Sequence, residues 1–155
     1  MVRAVESSAK GSDDLLQRQI NKSVEKVAMT AFVPVDTPGL GVGSVVKFSD
    51  VKFSVGIGTL SSFKNTGKFV CEKSGLYIVS ASMDMNYDNS EFHIYVNGKI
   101  FTKSSKHNSY NYWRSTSVSV AIELKTNDNV WVQISDVSAN VHGDLHSCFT
   151  IIKIH

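Results

Sequence analysis

The chain has little of what cross-links, crosses membranes or carries common catalytic signatures, and each shortage narrows the field. Only two cysteines occur among 155 residues, Cys71 and Cys148, neither in a C-x-x-C pair nor beside histidines at zinc-finger spacing, so a sulfur-based metal site is not expected. Each lies in or at the end of an apolar run, which leaves a buried thiol and a strand-to-strand disulfide both open. No apolar stretch reaches the roughly 18–20 residues that span a bilayer. Met1 opens a polar segment without a signal-peptide core, so an exported form is expected to have lost its leader. Sixteen basic and fourteen acidic residues give a formal charge of +2 with no Lys/Arg run, and such a surface has no sustained field for nucleic acid or anionic lipid. No G-x-S-x-G or H-E-x-x-H is present, and Gly39-Leu40-Gly41-Val42-Gly43 lacks the trailing Lys and Ser/Thr of a phosphate loop, so no enzymatic activity is expected. Two prolines, with many Val, Ser, Thr, Phe and Ile residues, suit an all-β chain because branched and aromatic side chains pack well on a pleated surface.

What is present suits one domain with a short extension. Hydrophobic residues at 42% and charged residues at 19% are sufficient for a packed core. Residues 1–26 form the extension, flexible at first. From Asp13 to Lys26 the positions Leu16, Ile20, Ser23 and Val27 keep the spacing of a helical seam, which predicts a short helix, frayed or held in a coiled coil with its own copies. Residues 27–155 then change to short strand-like runs separated by Gly, Asn, Asp and Ser. Expected strands include Val27–Val35, Val45–Phe48, Val51–Val55, Gly67–Cys71 and Leu76–Met83. Phe92, Ile94 and Val96 alternate up to Asn97-Gly98, a dipeptide suited to a two-residue hairpin turn. Ser117–Leu124 has strict period-two alternation, and Val130, Val132 and Ile134 repeat it. Cys148–Ile154 is apolar on both faces, which predicts a central strand tying the end of the chain into a sheet. So many short strands need two stacked layers to cover their apolar faces.

Thr66-Gly67-Lys68-Phe69-Val70-Cys71-Glu72-Lys73-Ser74-Gly75-Leu76-Tyr77 carries a Phe, a Gly six residues later and an aromatic two after that. With Asn127-Asp128-Asn129-Val130-Trp131-Val132-Gln133, Thr30-Ala31-Phe32 and Ser147-Cys148-Phe149-Thr150, it resembles the globular head family of complement component C1q, which is related in fold to the tumour necrosis factor cytokines. Val79 and Ala81 stand where the family has aromatics, and Asn127 where it has Gly, with the apolar pattern kept. The resemblance implies a ten-stranded antiparallel jelly-roll sandwich, assembled as a homotrimer of wedge-shaped subunits. No collagen-like repeat is present, so the chain resembles the collagen-free invertebrate members, among them mollusc sialic-acid-binding lectins. The expected function is that of a secreted, non-enzymatic pattern-recognition lectin of innate immunity, binding carbohydrate such as sialic acid, or other microbial surface molecules, multivalently. The alternative is a cytokine-like or synaptic-organiser-like module that binds a protein receptor.

Two segments hold the candidate site residues. In the first, His107, Tyr110, Tyr112, Trp113 and Arg114 combine rings that stack on sugar C–H faces with a guanidinium fork suited to a carboxylate. The competing reading puts Tyr112 and Trp113 in the core or in a subunit interface. The second is the polar loop from Asp136 to His146, with Asp136, His142 and Asp144 as ligand-binding candidates and His142 with His146 as a pH-responsive pair. No cofactor is required. The resemblance allows calcium, with Asp136 and Asp144 as its expected oxygen ligands and Asp128 as a further candidate.

Overall fold

In the computed structural model, residues 11–21, 25–86, 89–105, 112–135 and 137–155 are described. They form eleven strands and two helices: α1 over residues 11–21, β1 Ala28–Phe32, β2 Thr37–Leu40, β3 Asp50–Val55, α2 Leu60–Thr66, β4 Phe69–Val70, β5 Gly75–Asn86, β6 Glu91–Val96, β7 Lys99–Lys103, β8 Arg114–Leu124, β9 Asn129–Ser135, β10 Ala139–Val141 and β11 Cys148–Lys153. Both sheets are antiparallel. The seven-stranded sheet runs β2-β10-β5-β11-β1-β3, with β8 on the far side of β5, and the four-stranded sheet runs β4-β9-β6-β7.

Strand periodicity fills the space between the sheets. Tyr77, Val79, Ala81, Met83 and Met85 of β5, Phe149 and Ile151 of β11, Met29 and Ala31 of β1, and Phe92, Ile94, Val130, Val132 and Ile134 of the facing sheet are all buried in one cluster. Phe149 sits between Phe48 and Phe63, with ring centroids 5.5 and 5.8 Å apart. Burying each such ring contributes about 1.5–3 kcal/mol by removing apolar surface from water.

The C1q-like segment is legible in this packing. Phe69 packs on Tyr77, whose hydroxyl donates to the Lys73 carbonyl. Gly75 lies where a Cβ would come within 2.3 Å of the His155 carbonyl oxygen, because Leu76 N–H donates to that oxygen and Ile154 N–H to the Leu76 carbonyl. The end of β11 is thus tied to the start of β5. β11 itself is central, between β5 and β1, as its two-sided apolar pattern predicts. The Asn97-Gly98 turn joins β6 to β7 with both residues at positive φ. Asn127 also has positive φ, a region that asparagine tolerates, at the position where the C1q family it resembles has Gly.

Several expectations shift. Eleven strands form among the described residues: β10 lies in the expected Asp136–His146 loop, and β2, Thr37–Leu40, in a stretch where no strand is expected. Val45–Phe48 is not a strand: it makes one isolated bridge, Val45 to Gln133, with Val46 N–H donating to the Val132 carbonyl. The first strand is shorter than Val27–Val35. The stretch before Phe69 forms α2, which buries Phe63 and ends at Gly67 in the left-handed region. Cys71 and Cys148 are both free. Cys71 is buried in the core, whereas Cys148 alternates with buried Phe149 and Ile151 on the other side of β11. α1 is helical over residues 11–21 with Leu16 and Ile20 exposed; of the other seam positions, Ser23 lies outside the described residues and Val27, beyond the helix, is buried in the core between the sheets.

Candidate functional site

The outward face of the larger sheet has a chemical order set by register. One row joins Val55, Ala28, Ile152, Ile78 and Ala121, and the next joins Phe53, Thr30, Thr150, Ser80 and Ser119. A third carries Phe32, Cys148, Ser82 and Ser117. Hydroxyls pair across these strands: Thr30 with Thr150 at 3.2 Å, Ser80 with Ser119 at 2.8 Å and Ser117 with Ser82 at 2.8 Å. Small side chains with their hydroxyls already paired make a flat face that another backbone can approach closely. Burial raises the Cys148 thiol above its ordinary pKa, which leaves little reactive thiolate at neutral pH.

Continuing up β5, the next outward position is Asp84, and here the face becomes ionisable. Asp84 is 8% exposed. Its N–H donates to Ser147 Oγ at 3.0 Å, and its carbonyl accepts His142 N–H at 2.8 Å. His142 Nδ1 lies 2.8 Å from Asp84 Oδ2 and His146 Nδ1 lies 3.9 Å from the same oxygen. Asp36 Oδ1 stands 3.8 Å from His142 Nε2 and accepts Gly143 N–H at 2.8 Å. Gly143 itself is pressed so close to Val35 that a Cβ would come within 2.2 Å of its carbonyl carbon. This contact, with Asp144 and Leu145 both at positive φ, turns the loop tightly enough to bring His146 back onto His142.

The rings form a column. Trp113 stacks on His142 with centroids 4.4 Å apart, and His142 stacks on His146 at 3.7 Å. Trp113 remains 40% exposed, so the column supports an indole with accessible surface. The side chain of His142 is 22% exposed and that of His146 is 49% exposed. Asp84, His142 and His146 hold one ligand atom each within 4.8 Å of one another and are the sole such group of three among the described residues.

Of the residues expected from sequence, Trp113, His142 and His146 come together here. Tyr112 precedes Trp113 and is 71% exposed. Arg114 opens β8 opposite Met85, so strand alternation directs it away from the face that carries Asp84 and Ser115. Asp144 is exposed in the same turn but supplies no atom to the group of three. His107, Tyr110 and Asp136 lie outside the described residues. Asp128 is far from this end: it accepts from Lys125 N–H at 2.7 Å and Asn97 Nδ2 at 2.9 Å, and these bonds, with the Lys125 charge, hold its carboxyl below the usual range. Sequence reasoning missed Asp84 and Asp36. The available signal was a carboxylate between Met83 and Met85, at the outward phase of an otherwise apolar and small-residue strand.

Comparison with solved structures places the fold. The globular domain of zebrafish complement 1qA matches with a TM-score of 0.67 at 15% identity, covering 84% of this chain and 98% of that one. The Eiger TNF of S. frugiperda gives 0.62 at 12% identity, covering 84% and 93%, and murine APRIL gives 0.64 at 10% identity, covering 83% and 99%. No curated protein matches by sequence. Members of the C1q and tumour necrosis factor families form trimers, bind ligands or receptors, and are generally non-enzymatic recognition modules. The C1q domain model matches residues 30–150, and the chain belongs to the C1q domain family.

Proposed function

We propose that this chain is a secreted, non-enzymatic pattern-recognition lectin of innate immunity, which assembles as a homotrimer and binds glycans or other microbial surface molecules through the Trp113 end of the subunit. C1q domain proteins are typically extracellular, and no helix among the described residues is long and apolar enough to cross a membrane. The observation that carries the reading is the exposed Trp113 indole, supported by the stacked imidazoles of His142 and His146. An indole fixed by its neighbours loses little freedom when the C–H face of a sugar ring stacks on it.

Assembly is supported by the outward face of the larger sheet, where paired hydroxyls and alanines lie beside exposed Phe53, Val55 and Ile152. Three weak sugar sites on one rigid body gain affinity through effective concentration. A glycan array with the full chain, read beside its mass by light scattering, tests both parts. The expected result is a trimeric mass and a glycan signal that Trp113→Ala weakens about tenfold. A monomer across micromolar concentrations, or an array without signal in the presence and absence of calcium, overturns the reading.

A further inference from the structure

We infer that Asp84, His142 and His146 form a binding site for a divalent transition metal of the zinc class, independent of any glycan. The donor set argues for the ion. Two imidazole nitrogens and one carboxylate oxygen suit zinc, copper or nickel, whereas calcium and magnesium take oxygen ligands. Zinc bonds of about 2.0–2.1 Å to nitrogen and oxygen separate neighbouring tetrahedral ligands by about 3.3 Å. The Asp84 Oδ2 distances of 2.8 Å to His142 Nδ1 and 3.9 Å to His146 Nδ1 lie on either side of that separation. An ion takes the place of the proton between Asp84 and His142, and the His146 ring, now stacked 3.7 Å from His142 at 11°, turns out of that parallel stack so that both ring planes converge on it.

The surroundings fit the same assignment. Histidines that bind metals commonly present their other ring nitrogen to a carboxylate, which fixes the ring and raises its basicity. His142 Nε2 stands 3.8 Å from Asp36 Oδ1, within ion-pair reach of a carboxylate but longer than a hydrogen bond, and that oxygen is held by Gly143 N–H at 2.8 Å. Asp84 is likewise fixed, with its own N–H bonded to Ser147 Oγ and its carbonyl accepting His142 N–H. The third ligand is delivered by the turn in which Asp144 and Leu145 both have positive φ. Such a backbone is uncommon for a non-glycine residue and persists where the surrounding structure holds it. Three protein donors leave one position of a tetrahedral ion for water or for an oxygen of a ligand.

The test uses the full chain, stripped with a chelator and dialysed. Titration calorimetry with zinc chloride and elemental analysis after gel filtration should give one zinc per chain, and calcium chloride at the same concentration should not compete. Cobalt(II) should give the visible absorption of a tetrahedral site with nitrogen and oxygen donors. His146→Ala, at a half-exposed position, should weaken zinc at least tenfold and remove the cobalt spectrum while leaving the far-ultraviolet circular dichroism and the chain's mass in solution unchanged. His142→Gln should do the same if His146→Ala proves unfolded. Zinc binding that is absent, unaltered by both substitutions, or displaced by equimolar calcium overturns the inference. The outcomes separate this inference from the lectin reading: zinc binding without a glycan signal keeps the metal site and rejects the lectin, and a glycan signal without zinc binding does the reverse.

Discussion

At the two ends of one sheet face the same strands carry different chemistry. At the Gly75 end, the outward positions Leu76, Ile78, Val55, Ile152 and the neighbouring Ile154 are apolar, and four of them are well exposed. Eight residues further along β5, the same alternation presents Asp84 beside His142, His146 and Trp113. The strand period is identical at both ends, so secondary structure does not distinguish them. What differs is the cost of exposure. Apolar side chains left in water favour a covering partner, whereas an ionisable cluster anchored by hydrogen bonds is stable while open. One end is suited to assembly and the other to recognition, with a zone of paired hydroxyls between them.

The largest effect should come from placing a charge at the apolar end. Ile152→Asp is expected to convert a trimer to a monomer, read by light scattering, while His146→Asp at the other end leaves the mass unchanged. Equal loss of assembly by both substitutions would erase the distinction between the ends. Next, Gly75→Val should destabilise the fold by about 1–3 kcal/mol in chemical denaturation, since the added carbons meet the His155 carbonyl and force a backbone shift. A smaller cost would mean that the closing of β11 onto β5 is loose. Trp113→Ala should weaken glycan binding about tenfold, or about 1.4 kcal/mol, with its thermal midpoint within a few degrees of the parent. Retained affinity would move the sugar site elsewhere.

The smallest effect concerns pH at the tip beyond the apolar end. Asp128 has a lowered folded-state pKa, so its contribution is present above the ordinary carboxylate value and is lost as pH falls through the lowered value. Asp128→Asn should therefore melt slightly below the parent at neutral pH, and the gap should close below about pH 4. A gap that is constant from neutral to acid pH would show that the carboxylate charge contributes nothing to that turn.

Much of this architecture was legible in the residues. Alternation in Ser117–Leu124, the Asn97-Gly98 turn and the two-sided apolar character of Cys148–Ile154 predict β8, the β6–β7 hairpin and the central place of β11, because period and turn chemistry are local properties. α2 was not foreseen: seven residues with one buried side chain, Phe63, leave too few turns for a helical period. β10 was hidden for a related reason, since three residues within a polar loop provide no alternation to count. The site was half legible. Trp113 and His142 stand out as residue types that bind ligands, but Asp84 is 58 positions from His142 in sequence, and only strand pairing brings them together. Arg114 had the right chemistry on the wrong side of β8, a difference of one residue in register.

The slot held by β11 has a consequence for how the molecule is made. Its neighbours β1 and β5 belong to segments synthesised long before it, yet they lie on either side of it and cannot be joined until residues 148–153 have emerged from the ribosome. Until then their backbone edges facing the gap are unsatisfied and open to pairing with other chains. A newly made polypeptide should therefore fold slowly, through contacts distant in sequence, and depend on chaperones during that interval.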